Sequence, residues 1–427
     1  MPHVDAQKRS WGSFWSLVVI QSMNSLNEKT VQFLLIALGI WLSVRLQYPL
    51  SVLCVLPFVL FSPLGGWLAD RYCKTRILQY MVLLQVVVLV GMTAGLFLEN
   101  LGMTVAFFAG FCVQAMFFSP AKKGLVKDMV GSERIGVASG ILEISSMLAL
   151  LVGQIGALWI VYTLLCRWGS DAGWRAAAWP CACCTAAAVL VYLLSLSLKD
   201  YAPKGTRPFR LSICFEHFSQ LRMLWNNRIL RFSEVGIGYF WFIAGVMVLI
   251  VLQMAEEAHP IAGDSGFMQV LGQQKDSALL FAWLSGGSIL GGVLASLICM
   301  KRIHTWVARV GGVGMTLGCL LLAIQPYGTA FFLLTLAMTG FMAAGYLVPL
   351  NALLQDRADD DKRGDVIAAG NLVDCFLGIM SVVVQGGMSA LGLHTSVQCA
   401  LMALLSGAVA VFIFRATAAA DRSMADR

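Results

Sequence analysis

The sequence predicts an all-α membrane protein that crosses a bilayer many times. Of its 427 residues, 59% are hydrophobic and 12% are charged, and that charged fraction is about half that of a soluble domain. The mean hydropathy is +0.78, and apolar runs of about 20 residues, long enough to span a bilayer, recur along the whole chain. Because backbone polar groups find no water in lipid, such runs are expected to fold as helices.

The apolar runs predict twelve membrane-spanning helices in two groups of six. A basic segment, 199–230, lies between the groups and is predicted to be a cytoplasmic linker. It would join an N-terminal six-helix bundle, 1–198, to a C-terminal six-helix bundle, 231–427. The predicted spans are 13–43, 50–69, 76–98, 101–121, 135–165, 174–198, 231–255, 278–300, 305–325, 329–355, 366–391 and 396–415.

The two halves show a weak internal repeat. The fourth span ends in "FFSPAKKGLVKDMV" and the tenth in "YLVPLNALLQDRA", so Pro120 and Pro349 occupy matching places. The stretches "VASGILEIS" and "IAAGNLVDC" then place Glu143 and Asp374 early in spans five and eleven. Pseudo-symmetry of this kind is expected of secondary transporters, which bind their substrate between related halves.

The placement of lysine and arginine predicts that both termini are cytoplasmic. Of the 30 basic residues, 25 then lie on the cytoplasmic side and four on the outer side, while Lys29 lies within the membrane. No cleavable signal peptide is expected, because the first stretch leads directly into a long span. The polar connection 256–277 is predicted to be a long outer loop. The basic residues assigned to the outer side are Arg45, Arg167, Arg175 and Lys275.

The stretch "QSMNSLNEKTVQFLL" places charges in the middle of the first span. A charge at bilayer depth is costly unless it is paired or hydrated. Glu28 and Lys29 are adjacent, and adjacent helical residues point about 100° apart, so they are expected to have separate partners. We predict that Asn24, Glu28 and Lys29 bind substrate or an ion in a wet cavity. The alternative is that they contact neighbouring helices and only hold the structure.

The loop "GGWLADRYCKTR", 65–76, matches the G-x-x-x-D-R/K-x-x-x-R/K signature of the major facilitator superfamily, with Cys73 in place of an expected glycine. Gly66 is expected to permit close helix packing. Charges at this position are predicted to form a cytoplasmic network that gates transport, the alternative being an ordinary charged loop. The predicted members of this network are Asp70, Arg71, Arg76, Glu143 and Asp374.

Four segments indicate a closer relationship: "LFSPLGGWLADRYCKTRIL", "FFSPAKKGLVKDMVGSERIGVASGILE", "LRFSEVGIGYFW" and "VPLNALLQDRADDDKRGDVIAAGNLVD". Over essentially its whole length the chain resembles the bacterial lysophospholipid transporter family. The resemblance implies a flippase of the inner membrane that moves lyso-phosphatidylethanolamine or lyso-phosphatidylglycerol from the outer to the inner leaflet. A separate acyltransferase/acyl-carrier-protein synthetase would then re-acylate the lipid.

The sequence departs from that family in two places. The first span reads "LNEKT" where the family reads like "FGDNA", so Glu28 matches the acid but Lys29 replaces a neutral amide. The family carries an arginine in span seven, where this chain has the apolar "AGVMVLIVLQ". We predict that Lys29 supplies the missing positive charge.

Further substrate-binding candidates lie in other spans. A lysine near the end of span four, where Pro120 is expected to bend or end the helix, could meet a phosphate or could simply anchor the topology. Aromatic residues of "YFWF" could line the cavity or only pack, and two asparagines could bind substrate or join helices. Glu234 is interpreted as an interfacial residue. These candidates are Lys122, Tyr239, Trp241, Asn351 and Asn371.

Other functions remain as alternatives or are excluded. The main alternative is a proton-coupled exporter of an amphipathic drug or metabolite, with Glu28 as the proton carrier. An intramembrane enzyme is not expected, because none of the five histidines lies in mid-span near a serine, cysteine or carboxylate set. The 12 cysteines show no zinc spacing. No catalytic residue, metal, cofactor or nucleic-acid partner is predicted.

Overall fold

A computed structural model describes residues 11–130, 135–201, 217–260, 266–299, 304–357 and 363–425. All regular secondary structure in these ranges is helical, which confirms the predicted all-α class. The helices are α1 (Trp11–Leu42), α2 (Gln47–Arg71), α3 (Lys74–Phe97), α4 (Leu101–Val130), α5 (Ile135–Trp168), α6 (Gly173–Ser195), α7 (His217–Asn226), α8 (Arg228–Ala258), α9 (Gly266–Cys299), α10 (Thr305–Ile324), α11 (Ala330–Arg357), α12 (Arg363–Ala390) and α13 (Thr395–Ala425).

Twelve of the helices in the described ranges are long enough to cross a bilayer, and the ten-residue α7 lies between the sixth and the seventh of them. Eleven of the twelve are also apolar enough over a continuous window. The helix α1 has 32 residues, but the polar and charged residues in its middle lower its hydropathy, so it is not one of these eleven helices. The fold is therefore that of a polytopic α-helical membrane protein.

Two predicted boundaries are wrong. The helix α4 continues past Pro120 to Val130, so the proline does not end the helix. The segment 256–277 is not a continuous loop, since α8 extends to Ala258 and α9 already begins at Gly266. Gln273 of α9 donates a hydrogen bond of 2.7 Å to the carbonyl of His259, and this contact stabilises the early start of the helix.

The chain divides into two compact units. The first unit comprises Met1–Leu42 and Leu60–Phe215, and the second comprises Ser43–Val59 and Glu216–Arg427. The division falls within α2, so the first half of that helix belongs to the second unit. Each unit is considered by itself below.

In the first unit, α1 packs against α4, α5 and α6, and α3 packs against α4 and α6. Its core contains Phe14, Leu17, Leu78, Leu125 and Met129, all nearly or completely buried. Between α1 and α5, Gly153 lets the backbones approach closely, because a Cβ there would lie 2.7 Å from the carbonyl oxygen of Leu26. Small residues at such contacts are the usual device for packing helices in a membrane.

In the second unit, α11 packs against α8, α9 and α10, while α8 also packs against α12 and α13. Glycines again set the closest contacts. A Cβ at Gly287 or Gly291 of α9 would collide with the backbone carbonyls of Ala337 or Phe341 on α11. The four-residue spacing of these glycines places both on one face of α9, which is the arrangement of a G-x-x-x-G contact.

Candidate functional site

Polar side chains form a stripe along the middle of α1, which we call the α1 polar stripe: Gln21, Asn24, Glu28 and Gln32. Their spacing of three or four residues places them on one face of the helix. Gln21, Asn24 and Gln32 are buried, with 5%, 4% and 4% exposure, whereas Glu28 is half-buried. A polar face at mid-span is unusual in a membrane helix and marks a candidate binding surface.

The other faces of α1 are occupied by neighbouring helices of the first unit. Leu26 and Thr30 lie against Gly153 of α5. Asn27 donates a hydrogen bond of 3.4 Å to the carbonyl of Cys184 on α6. Since the α1 polar stripe lies on the side of α1 opposite Leu26 and Thr30, it points away from α5.

The charged groups of α1 are held apart from each other. Lys29 Nζ donates to Gln32 Oε1 at 2.8 Å, which turns the ammonium toward the α1 polar stripe. Among the described residues, the carboxylate of Glu28 has no hydrogen-bond or ion-pair partner, and the buried Oδ1 of Asn24 accepts no hydrogen bond. A buried acceptor without a donor costs about 1–3 kcal/mol, so a ligand that donates here would be favoured.

The signature loop is fixed to the rest of the first unit by an ion pair that the sequence interpretation missed. Lys74 Nζ lies 3.0 Å from Asp128 Oδ2 on α4, and both side chains are less than one tenth exposed. Nearby, Tyr201 is 3% exposed, and its hydroxyl has no partner in the part of the chain that is described. Burial and the negative charge of Asp128 raise the pKa of Tyr201 above its ordinary value.

The predicted gating residues of the loop are only partly described. Arg71 and Arg76 are exposed, and Arg76 Nη2 lies 3.6 Å from Asp200 Oδ2, just beyond α6. The side chains of Asp70 and Glu143 lie outside the described residues. The gating network therefore stays a prediction.

The close helix contact of this loop is made by Gly65 and not, as predicted, by Gly66. A Cβ at Gly65 would lie 3.2 Å from Met116 Sδ and 3.3 Å from Pro120 Cγ on α4, whereas no described atom comes within 4 Å of such a Cβ at Gly66. Lys122 lies half-buried on α4, two residues after Pro120. Its predicted contact with a phosphate stays a prediction.

Four candidates of the second unit differ in their surroundings. Tyr239 is 7% exposed, and its hydroxyl makes a short hydrogen bond with Ser406 Oγ of α13. Its ring packs against Tyr346 with centroids 6.5 Å apart, which is the environment of a core residue. Trp241 is 43% exposed, Asn371 is exposed and Asn351 is half-buried. Their substrate contacts stay predictions.

Asp374 of α12 has a neighbour that the sequence interpretation misplaced. Glu234 of α8 is completely buried, so its interpretation as an interfacial residue is wrong. Both carboxyl groups lie where α8 faces α12: a Cβ at Gly370 of α12 would lie 2.7 Å from Glu234 Oε2, and a Cβ at Gly238 of α8 would lie 3.7 Å from Asp374 Oδ1. The sequence around "RFSEVG" does not show that Glu234 is buried. The only signal is that a single acid stands inside an apolar span.

A second buried polar group, near the opposite end of α8, was also missed. Gln253 Oε1 accepts hydrogen bonds of 2.8 Å and 2.9 Å from the side chains of Gln385 and Gln398. Glu257, one turn further, accepts from the backbone and hydroxyl of Thr395. These amides join α8, α12 and α13, and they have the character of structural links between helices.

Aromatic residues at the ends of α3 and α6 border a cavity. Its volume is about 370 Å³, and Trp174, Trp179, Arg175, Phe97 and Glu99 contribute to its lining. The cavity lies at the ends of α3 and α6, where Trp179 and Phe97 pack edge to face with centroids 5.6 Å apart. Aromatic and arginine side chains at such a boundary are typical of a membrane–water interface.

Twelve long helices of the described ranges lie in two units, with acids and amides inside the spans, and they define a polytopic α-helical membrane protein. The chain belongs to the Major Facilitator Superfamily, whose sequence profile matches residues 11–382. The predicted superfamily and fold class are thereby confirmed.

The predicted resemblance to lysophospholipid transporters is also confirmed. The chain is 27% identical over 402 residues to the lysophospholipid transporter LplT of Salmonella heidelberg, covering 88% of this chain and 89% of that protein. It is 26% identical to LplT of Cronobacter sakazakii, covering 88% and 90%.

Solved transporter structures share the fold at low sequence identity. The nucleoside transporter NupG superposes with a TM-score of 0.66 at 13% identity, covering 95% of this chain and all of that one. The fucose:proton symporter FucP of Escherichia coli superposes with a TM-score of 0.65 at 12% identity, covering 94% of this chain and 98% of that one.

Proposed function

We propose that the protein is a lysophospholipid flippase of a bacterial inner membrane. It would move lyso-phosphatidylethanolamine or lyso-phosphatidylglycerol from the outer to the inner leaflet by alternating access, and a separate acyltransferase would re-acylate the product. The observation that carries the proposal is the α1 polar stripe, with Lys29 beside it, in a chain similar to proteins named lysophospholipid transporters.

The chemistry of α1 suits the headgroup of such a lipid. A lysophospholipid presents a phosphate and, in the ethanolamine form, an ammonium. Lys29 supplies a cation for the phosphate, and its hydrogen bond to the neutral Gln32 leaves donor capacity on the ammonium. Glu28 and Asn24 supply acceptors for the ammonium of the lipid. The single acyl chain would stay in hydrocarbon, which requires a cavity that opens sideways to the bilayer.

The remaining predicted residues keep supporting roles in this proposal. Lys122 would meet the phosphate at the cytoplasmic mouth, and Asn351, Asn371 and Trp241 would contact the lipid from the second unit. Asp70, Arg71, Arg76, Glu143 and Asp374 would control the cytoplasmic opening. With both termini in the cytoplasm, the excess of basic residues lies on the inner side.

Reconstitution of the purified protein into liposomes tests the proposal. Labelled lyso-phosphatidylethanolamine in one leaflet is followed with and without a proton gradient, beside empty liposomes. A flippase moves the lipid without a gradient. Folded protein that moves no lipid in any condition contradicts the proposal, and transport that stops when the gradient is removed indicates the proton-coupled exporter instead.

A further inference from the structure

The cavity at the ends of α3 and α6 carries two opposite charges that do not pair. Glu99 and Arg175 both line it, and both side chains are exposed. In the part of the chain that is described, neither side chain has a hydrogen-bond or ion-pair partner. The volume of about 370 Å³ is that of a small-ligand site, about 300–1,000 Å³. The cavity therefore offers a cation and an acid to one ligand.

Glu99 stands where a helix end usually has glycine. The N–H of Glu99 donates to the carbonyl of Leu96 at 3.2 Å, and the N–H of Asn100 donates to that of Gly95 at 2.9 Å, which is a Schellman turn. Glu99 has a φ of 54°, a left-handed conformation that is strained for any residue but glycine. Asn100 Oδ1 accepts from the N–H of Met103 at the start of α4, so the side chain of Glu99 does not hold the turn. A strained residue of this kind is typical of a ligand site.

Arg175 lies in the first turn of α6, at a fixed place. Trp41 of α1 donates a hydrogen bond of 2.8 Å to the carbonyl of Ser170, and a Cβ at Gly173 would collide with the Trp41 ring. The cap residue, Ala172, provides no side-chain acceptor to this turn. The N-terminus of a helix favours an anion, and the guanidinium of arginine matches the geometry of a phosphate.

Aromatic side chains complete the lining of the cavity. Trp174, Trp179 and Phe97 contribute to it, and Trp179 and Phe97 are 55% and 47% exposed. The face of a tryptophan ring attracts an ammonium group. The apolar span of α3 ends at Phe97, and that of α6 begins beside Trp174, so the cavity lies at the depth of lipid headgroups.

We propose that this cavity binds the phosphoethanolamine headgroup of a lipid. Arg175 contacts the phosphate, while Glu99 and the tryptophan faces contact the ammonium. An aromatic belt alone accounts for the tryptophans but not for Glu99 in a left-handed conformation. Two sources carry this headgroup, namely the diacyl phosphatidylethanolamine of the bilayer and its lyso form. The site is distinct from the α1 polar stripe, and the binding does not rest on the proposed function.

Native mass spectrometry of the purified full-length protein tests the binding. The protein is titrated with diacyl phosphatidylethanolamine and with phosphatidylglycerol of the same acyl chains. Arg175→Gln should weaken the binding of both lipids about tenfold or more, because both carry a phosphate. Glu99→Gly should weaken the ethanolamine lipid by a similar factor and the glycerol lipid little. The controls Arg167→Gln and Asp171→Asn change exposed side chains near the same ends and should bind like wild type.

Thermal unfolding in detergent separates a binding role of Glu99 from a structural one. Without lipid, Glu99→Gly should unfold at the same temperature as wild type or above it, because glycine relieves the left-handed strain. With phosphatidylethanolamine, wild type should gain stability and Glu99→Gly should gain less. A variant that is less stable than wild type without lipid would show that Glu99 holds the fold, which overturns the proposal.

The titrations also decide between sites and between sources. Equal affinity for phosphatidylethanolamine in wild type, Arg175→Gln and Glu99→Gly overturns the proposal. So does binding that depends on Lys29 and not on Arg175, because the lipid then lies at α1. A parallel titration with lyso-phosphatidylethanolamine supports the proposal where it shows the same dependence on Arg175 and Glu99, and the tighter of the two lipids identifies the source. Absence of flipping by wild type contradicts the proposed function and leaves this binding result unaffected.

Discussion

Lys74 Nζ lies 3.0 Å from Asp128 Oδ2, and the two side chains are 9% and 7% exposed. This ion pair joins the first turn of α3 to the last turn of α4. The stem of Lys74 crosses Gly124, where a Cβ would lie 2.6 Å from Lys74 Cε. The part of α4 beyond Pro120 is thus fixed to the signature loop by a buried charge pair.

Removal of one partner of this pair should destabilise the first unit strongly. Lys74→Ala or Asp128→Asn breaks this buried ion pair by removing one of its charges, which costs about 3–5 kcal/mol. Thermal unfolding of the purified protein in detergent measures the loss. Arg76→Ala breaks the exposed pair with Asp200 and should cost at most about 1 kcal/mol. An equal loss of thermal stability in Lys74→Ala and Arg76→Ala would contradict the claim that the buried pair stabilises the first unit more than the exposed pair does.

Tyr201 should make the protein sensitive to alkaline pH. Its raised pKa means that the folded state holds the phenol proton more tightly than the unfolded state. The associated stability is complete below the unfolded pKa of about 10 and is lost as the pH rises above it. Thermal stability of Tyr201→Phe should therefore fall less steeply above about pH 10 than that of wild type.

The same variant should be at least as stable as wild type at neutral pH, because the hydroxyl of Tyr201 has no described partner. Tyr80→Phe, at a side chain that is 64% exposed, is the matched control and should follow wild type throughout. Parallel pH profiles of Tyr201→Phe and wild type would contradict the account.

Adjacent glycines of α9 should respond differently to alanine. A Cβ at Gly291 would collide with the backbone carbonyl of Phe341, whereas one at Gly292 would lie 3.8 Å from Ala344 Cβ in ordinary contact. The backbone of α11 cannot move away from the new methyl group as a flexible side chain could. Gly291→Ala should therefore lower the free energy of unfolding by about 1–3 kcal/mol, measured by thermal unfolding. Gly292→Ala should be neutral or more stable by up to about 1 kcal/mol, the helix-propensity gain. The reverse order would show that α9 and α11 do not pack at Gly291.

Most of the fold could be predicted from the sequence, because hydrophobic runs and basic connections directly reflect the cost of polar groups in lipid. The prediction fails where tertiary contacts decide. The polar residues between Gly266 and Ser277 indicate a loop. Instead α9 begins there, and residues of its first turns contact His259. Pro120 is expected to bend or end the helix, but α4 continues to Val130, and Pro120 lies close to Gly65 of α2.

The candidate site was predictable only where a polar residue stands out from an apolar span. Glu28, Lys29 and Asn24 stand out in this way. The sequence cannot show that Glu234 and Asp374 both lie where α8 faces α12, because this depends on how the two helices pack at Gly238 and Gly370. The sequence also cannot show that Tyr239 packs against Tyr346. An aromatic residue that lines a cavity and one that packs in the core occur at the same spacing along a helix.

The most direct test of the central claim compares two headgroups in reconstituted liposomes. Lys29→Ala should slow flipping of both lyso-phosphatidylethanolamine and lyso-phosphatidylglycerol, because both carry a phosphate. Glu28→Gln should slow the ethanolamine lipid more, because it carries the ammonium. Loss of a hydrogen bond to a charged group costs about 1.5–3 kcal/mol, or about tenfold to a hundredfold in rate. The controls are Asp171→Asn and Lys275→Ala, two exposed sites. If both lipids move at wild-type rates in both α1 variants, the α1 polar stripe and Lys29 do not bind the headgroup.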